Sequence, residues 1–560
     1  MAFLHFVEGG QIFYVDYFGL DTNPILHKIF QLMFNYGAQK RMLDPYKDWT
    51  FDQKITRGEE MIRNEIRMLT KMVVPKKALF IAIDGSAPTA KQEQQRQRRF
   101  ISALHRDLTA MFDSNSITPG TPLMLELTKY FNTMIRMEIN NLSSNWNSIK
   151  VIFSSGTVPG EGEHKVIEWF RTLDKNGTFC MYGPDADLIM LELGVHLPNI
   201  TLLREDQYEV GSYDYVDMGL IRKQLAAPMG QVVGVRERLR SLDDVSNDFI
   251  LLGFFVGNDF TPKIRMFLFL EDGLELMLAT YSKISQNGLL NHLTNGTKIN
   301  HEAFTKFVSA LAKYERKYIL DQLYAPLTDA RFKNETLLRH VVQRVSGERT
   351  EYLWSDYDGY RKEYYLKAHV HVEKDEEVKK MCIAYLRDFA WIYLYYVQGL
   401  PAWNSYYPYH YAPLMEDLER VMKTIYSSDY TSFTKGNPSI PFVQLLSVLP
   451  PKSADLLPKP FAKLMTSASS PLVKAGYYPD SFKIDYEGVT REHMAVVLLP
   501  FIDVEEVKKA YEPVASTLKN QYVRNELSTA QVFYYDPSFN ARYESEHGNI
   551  DNLHVRKVPY

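Results

Sequence analysis

Two cysteines among 560 residues, Cys180 and Cys382, are too few for a disulfide framework or for a zinc site of their own, and they indicate a reducing compartment. Long hydrophobic runs are missing as well. The longest, FILLGFFVG at 249–257, falls far short of the roughly 18 apolar residues that a spanning helix needs. The opening MAFLHFVEGGQ carries no basic segment and no small-residue cleavage site, so no secretory leader is expected. Neither sign of charge dominates: 64 Lys and Arg stand against 68 Asp and Glu, a net charge of −4. Any binding of a polyanion must therefore come from local basic patches. No low-complexity tract, no short-period repeat and no basic localisation cluster is present, and the last points to the cytoplasm rather than the nucleus. The expectation is a soluble protein with no membrane contact.

A chain of 560 residues is too long for one hydrophobic core, so at least two domains are expected. From Ile12 to about Met266 apolar strands alternate with helical stretches. QIFYVDYFGLD is followed by NPILHKIFQLMFNYG and the charged helix GEEMIRNEIRMLTKMV; KALFIAIDG, KVIFSSG and TFCMYG are further strands. Strand, loop and helix in repetition predict an α/β domain over 1–270 with a mostly parallel sheet flanked by helices. Residues 271–350 read as a helical connector. Residues 351–560, with MCIAYLRDFAWIYLYYVQGL and the Pro-rich PFVQLLSVLPPKSADLLPKP, read as a second, mainly helical region packed closely on the first.

In parallel sheets the ligand cleft lies beyond the carboxyl ends of the strands, and that is where acids recur. Asp21 follows the first strand, Asp84 closes FIAIDG, Asp185 and Asp187 lie in YGPDAD, and Asp259 ends GFFVGND. Glu161 and Glu163, in VPGEGEHK, open a helix after KVIFSSG; a helix N-terminus tolerates negative charge, and Gly160 and Gly162 allow close approach of the backbone. One such pair alone is more often a helix cap than a ligand set. Seven carboxylates converging on one cleft repel each other unless a cation sits among them. Mg²⁺ takes oxygen ligands and shares them with substrate phosphates, and two such ions about 3.5–4 Å apart can activate water and stabilise the leaving oxygen in phosphodiester cleavage. By contrast Asp243, Asp244 and Asp248 read as a solvated helix start.

Directly after Asp84, APTAKQEQQRQRRFISALHRD puts Lys91, Gln95, Arg98 and Arg99 on one helix face. Taken alone this is a solvent-exposed basic helix. Beside an acidic cleft it becomes a cradle for a terminal phosphate, and the pair implies an enzyme that reads the end of a polynucleotide and cuts next to it. His27 and Trp403 are candidates for stacking on the end bases.

With these residues in view the chain resembles the XRN-type 5′→3′ exoribonucleases. LDTNPILH, IDGSAPTAKQEQQRQRRF, SNSITPGT, VPGEGEHK, YGPDADLIML and GFFVGNDFTP resemble the family's successive N-terminal motifs, and YYVQGLPAWNSYYPYHYAP, PFVQLLSVLP and VVLLPFID its second characteristic region. The resemblance implies a PIN/FEN-like nuclease domain whose second region closes over the active site. It implies hydrolysis of single-stranded RNA from a 5′-monophosphate to nucleoside 5′-monophosphates, with two Mg²⁺ ions, for which Mn²⁺ can substitute, and a monomer acting on RNA. Carried over, Asp21, Asp84, Glu161, Glu163, Asp185, Asp187 and Asp259 match the metal-binding acids, Lys91, Gln95, Arg98 and Arg99 the 5′-phosphate pocket, and His27 and Trp403 the base-gripping positions. Three features depart from the pattern: only twenty residues precede Asp21, Ser405 stands where a second Trp is usual, and no long extension follows Tyr560. The competing expectations are a structure-specific 5′ flap or DNA nuclease, and a non-catalytic RNA-binding scaffold, whose mark would be a missing acid.

Overall fold

The computed structural model of the chain describes residues 4–6, 12–107, 109–206, 211–230, 242–267, 270–286, 292–321, 323, 335–486, 488–489, 491–518 and 522–560. Most of the opening MAFLHFVEGGQ and parts of 271–350 lie outside the described residues.

Among the described residues a nine-stranded sheet organises the first half. Its strands are β1 (Leu4–Phe6), β2 (Phe13–Asp21), β3 (Val73–Ala82), β4 (Lys150–Ser154), β5 (Phe179–Tyr182), β6 (Ile200–Glu205) and β7 (Tyr213–Asp217), joined by Gln531–Tyr535 and Val555–Pro559 from the end of the chain. Across the sheet the order is β1, β7, β6, β5, β2, β3, β4, then 531–535 and 555–559. β6, β5, β2, β3 and β4 run parallel, and antiparallel strands flank them on both sides. The expected mostly parallel sheet is therefore present.

Four of the five parallel strands hand on to helices, while β6 turns back into antiparallel β7. α1 (Asn23–Met33) and α2 (Phe51–Met72) follow β2, α3 (Thr89–Leu104) and α4 (Pro122–Asn140) follow β3, α5 (Gly162–Arg171) follows β4, and α6 (Leu188–Val195) follows β5. Parallel strands covered on both faces read as unbroken apolar runs, and the second half of β3, residues 78–82, is one. Its Leu79 and Ile81 join Phe18 and Leu20 of β2 in a core with α1, α2 and α4, while Phe80 and Ala82 face α5 in another. From β2 the chain winds outward to β3 and β4, then returns to β5 on the far side of β2. Strand order reverses between β2 and β5, which makes that crevice the switch point where ligands bind in open α/β sheets.

The second region is packed on the first, as expected. The 23-residue helix Asp375–Val397 rests on α6 and on α8 (Leu242–Gly253; α7 is Met218–Gly230), and its buried Tyr385, Phe389, Trp391, Tyr395 and Tyr396 share a core with α5 and α6. Residues 442–510 build a third core that also takes in Phe100 of α3.

Some expectations are corrected. The expected helical connector 271–350 includes a strand, Val341–Ser346, hairpin-paired to Arg349–Trp354. The expected second region does not run unbroken to 560, because Gln531–Tyr535 pairs antiparallel with β4 and puts Phe533, fully buried, into the sheet's own core. Asp248 is no solvated helix start either. It is fully buried and accepts hydrogen bonds from the Tyr281 hydroxyl (2.5 Å), the Leu293 and Thr294 amides (3.1 and 2.9 Å) and the Thr294 hydroxyl (2.8 Å). Donors supplied some 45 residues later by tertiary folding replace the water that its sequence neighbours suggested. Asp243 keeps the surface role and pairs with Arg222.

Phe533→Ala should lower the free energy of unfolding by about 3–5 kcal/mol, the usual loss for emptying a buried Phe site. Urea denaturation measures it; an unchanged midpoint would remove the C-terminal strand from the core.

Candidate active site at the carboxyl ends of the parallel strands

Strand direction explains why the acids meet. Asp21 is the last residue of β2, Asp84 lies two residues past β3, Glu161 and Glu163 open α5 after β4, and Asp185 and Asp187 follow β5. Four parallel strands thus deliver six carboxylates to one edge of the sheet, around the switch point. Asp259 comes from the loop after α8 and reaches them through Lys91, whose ammonium lies 2.9 Å from Glu161 Oε2 and 2.8 Å from Asp259 Oδ2.

The helix-start acids are not caps. Glu161 is the N-cap residue of α5 and Asp187 that of α6, yet neither side chain bonds the helix's free amides. Glu161 Oε1 instead accepts from the Tyr395 hydroxyl at 2.9 Å, and Asp187 Oδ2 from the Tyr396 hydroxyl at 3.3 Å. Asp84 is held by the Gly162 amide (2.7 Å) and the Asn23 side-chain amide (2.9 Å), while its own N–H donates to Asn23 Oδ1 (2.9 Å). Only glycine fits at 162, since a Cβ there would stand 2.6 Å from Asp21 Oδ1 and 3.3 Å from Asp84 Oδ1.

Burial dominates the electrostatics. It pushes the carboxyls of Asp21, Glu161, Glu163, Asp185 and Asp187 upward; Asp84 and Asp185 reinforce the shift at Asp21, and Asp187 does so at Glu163. Burial pushes Asp259 up as well, but Lys91 and Arg98 together outweigh it and hold this carboxyl below its ordinary value. Burial presses the Lys91 ammonium down, but Glu161, Asp259 and Glu163 more than offset this and raise it well above the usual lysine value. Asp21 Oδ1 is buried without any hydrogen-bond partner. A buried, unpartnered carboxylate oxygen among hard oxygen donors suits a divalent cation of the Mg²⁺ type. Among the described residues no three such groups are gathered closely enough to hold an ion as they stand.

The basic helix is not a free surface. Of the four residues expected to face a phosphate, Lys91 is engaged with the acids. Arg98 is largely exposed and reaches Asp259 at 3.3 Å, Arg99 donates to the Thr118 hydroxyl at 2.9 Å, and Gln95 Oε1 is buried without a partner. Burial brings the Arg99 guanidinium down to about 10. The other side of α3 is structural: Arg96, fully buried, donates to the carbonyls of Ser447 and Tyr477 and lies 4.5 Å over the Phe100 ring. His27 lies close enough to Asp84 and Arg99 to feel both charges, although burial is the larger influence and lowers its pKa. Trp403 is tied to the start of α3 by the Thr89 amide donating to its carbonyl (2.8 Å). Among the described residues no ring contact joins His27 to Trp403.

Four contributors escaped the sequence reading. Tyr395 and Tyr396 sit in a run that reads as core, and only the choice of Tyr over Phe at buried positions hints at a hydroxyl with a partner. His164 stacks on Tyr395, ring centroids 3.6 Å apart and 1° from parallel, and so fixes the tyrosine's angle. Lys165, in GEGEHK, donates to the carbonyls of Ile83 (2.7 Å) and Ser155 (3.1 Å) and pins the ends of β3 and β4 together; burial, against the pull of Asp84 and Asp21, brings its ammonium down to about 7.

Lys91→Met should destabilise the protein by about 3–5 kcal/mol, since removing one partner leaves buried charge uncompensated. Denaturant titration without divalent ions tests this, and an unshifted midpoint would mean that the ammonium is not what holds Glu161 and Asp259 together.

Two family descriptions match the chain: XRN 5′-3′ exonuclease N-terminus over residues 6–206, and Xrn1 helical domain over 240–335 and 327–547. Among curated relatives, 5′-3′ exoribonuclease 1 of Homo sapiens is 30% identical over 546 residues, covering 84% of this chain and 32% of the relative. The Saccharomyces cerevisiae 5′-3′ exoribonuclease 1 is 26% identical, covering 98% and 44%. The Arabidopsis thaliana 5′-3′ exoribonuclease 2 is 28% identical, covering 84% and 61%. The chain thus spans between a third and three fifths of the length of these relatives. A solved chain described as the catalytic core of Rad2 in complex with DNA substrate overlaps 73% of this chain and 93% of its own length at 12% identity, with a TM-score of 0.28, too low to bear on the fold.

Proposed function

The chain belongs to the XRN 5′–3′ exonuclease family, and from that premise we propose that it is a Mg²⁺-dependent hydrolase that degrades single-stranded RNA from a 5′-monophosphate, one nucleoside 5′-monophosphate at a time. The observation that carries the reading is the meeting of two opposite features at one edge. Carboxylates from four consecutive parallel strands converge there, and the basic helix α3 begins there with Lys91 inserted between Glu161 and Asp259.

Asp21, Asp84, Glu161, Glu163, Asp185, Asp187 and Asp259 would hold the metal, with the orphaned oxygen of Asp21 as the best-prepared donor. Two bound Mg²⁺ ions would supply an activated water and neutralise the oxygen that leaves. The chain's own residues do the rest. Tyr395 and Tyr396 hold Glu161 and Asp187 by their hydroxyls, and the Gly162 amide and Asn23 hold Asp84, so the carboxylates are set before substrate arrives. Gln95, Arg98 and Arg99 receive the terminal phosphate, and Lys91 couples that pocket to the acids. His27 and Trp403 flank the terminal bases. Water adds to phosphorus and the P–O3′ bond breaks; one product is a nucleoside 5′-monophosphate, and the shortened strand again begins with a 5′-phosphate. Each cut thereby regenerates the group that the pocket reads.

With Mg²⁺ and 3′-labelled single-stranded RNA, a 5′-monophosphate substrate should be lost quickly and the 5′-hydroxyl and 5′-triphosphate forms slowly. Equal loss of all three would point to an unselective or internal cutter, and no loss at all to a scaffold. Matched DNA should resist, which separates this reading from a flap nuclease. Arg99→Ala should shrink the preference for 5′-monophosphate over 5′-hydroxyl roughly tenfold or more, the worth of one charge-assisted contact; an unaltered ratio would take Arg99 out of the pocket. Asp185→Ala and Asp187→Ala should each abolish cleavage while leaving the unfolding midpoint level or raised, because each removes a member of a mutually repelling set. Full activity in both variants would overturn the metal-site assignment.

A further inference from the structure

Beside the acidic edge, on the face of α3 next to the one bearing Lys91, lies a cavity of about 840 Å³. Its walls come from α3, the loop that carries Asp259, residues 406–412, and Tyr486, Val489, Glu492, 494–497 and Phe501. The lining of this cavity includes a cation. Lys263 lines it half-buried, its stem laid across Gly257, where a Cβ would stand 2.3 Å from Lys263 Cγ and where φ is +96°. Among the described residues no carboxylate meets that ammonium, and burial lowers its pKa unopposed. Arg98, largely exposed, also lines the cavity and pairs with Asp259 of the same wall at 3.3 Å. The lining is also aromatic: His410 and Phe501 stack with centroids 4.4 Å apart and planes 22° from parallel, Tyr406 lies 6.0 Å from Phe501, and Tyr409 adds a further ring.

The carboxylates on the walls are already engaged. Glu93 accepts from the Ile502 amide at 2.9 Å, Asp259 pairs with Lys91 and Arg98, and Glu492 faces His105 at 3.3 Å. Lys263 is thus a lining charge with no opposite partner among the described residues, which favours an anion, and the flat apolar wall favours a ring on the same molecule. One ammonium and one stacked pair serve a single phosphate and a single base rather than a strand.

We propose that this cavity binds a nucleoside 5′-monophosphate, with its phosphate at Lys263 and its base against the His410–Phe501 stack. As a chamber next to Asp259 it would receive the released product, and in that role it rests on the exonuclease reading; as a binding site it does not.

The test is calorimetric titration of the intact protein, in EDTA and without RNA, with AMP, adenosine and inorganic phosphate in turn. AMP should bind at least roughly tenfold more tightly than either fragment, because charge and stacking act together. Lys263→Met should weaken AMP by roughly tenfold or more and leave adenosine unchanged, with Lys263→Arg restoring AMP; Phe501→Leu should weaken AMP and adenosine alike. Circular dichroism checks that each variant is folded. Absence of AMP binding, AMP binding indifferent to either Lys263→Met or Phe501→Leu, or phosphate binding as tightly as AMP would overturn the proposal. AMP binding that depends on Lys263 in a protein unable to cut RNA would keep the cavity and sink only the exonuclease reading. RNA cleavage by a protein whose AMP binding ignores Lys263 would do the reverse.

Discussion

Lys91 sits 2.9 Å from Glu161 and 2.8 Å from Asp259, and much of the molecule is arranged around that buried cation. Burial makes negative charge expensive at this edge, as the raised carboxyls of Asp21, Glu161, Glu163, Asp185 and Asp187 register. One ammonium cannot neutralise seven acids. The remaining imbalance is what a divalent cation would relieve, and it also brings Tyr395, Tyr396, Asn23 and the Gly162 amide to bear on individual carboxylate oxygens.

The same contact joins the two parts of the chain. α3 carries Lys91 into the acids on one side. On the other it sends Phe100 and the buried Arg96 into the core of residues 442–510, where Arg96 meets the Ser447 and Tyr477 carbonyls. Its first turn is held by the Trp403 carbonyl and, just before it, by Gln444 Oε1 accepting from the Ala87 amide at 2.6 Å. A helix fixed on three sides presents Arg98 and Arg99 at set positions, which is the property that end recognition requires. The second region thus takes part in the site both through helix Asp375–Val397, which reaches the carboxylates directly, and through its grip on α3.

Some of this was legible from residues in order and some was not. The strand assignments held because buried parallel strands are continuous apolar runs, and the acids could be placed because each follows such a run closely. The solvated reading of Asp248 failed for the opposite reason: its neighbours Asp243 and Asp244 suggested a charged surface, while its donors, Tyr281, Leu293 and Thr294, come from later in the chain. Lys91 illustrates an intermediate case. The helical period put it on the face of Arg98 and Arg99, but period alone does not say whether that face meets solvent, phosphate or acid.

By itself the sequence determined the parallel α/β sheet, the identity of the carboxylates at its carboxyl edge and the shared face of α3, because apolar periodicity and strand direction are local properties. Tertiary structure alone decided that two strands from the last thirty residues extend the sheet, that two tyrosines of a distant helix hold Glu161 and Asp187, and that Lys263 faces a cavity without a carboxylate partner among the described residues. Those outcomes depend on which surfaces meet after the chain has crossed hundreds of residues, and pairing across such distances is set by packing and charge compensation, which no local pattern records.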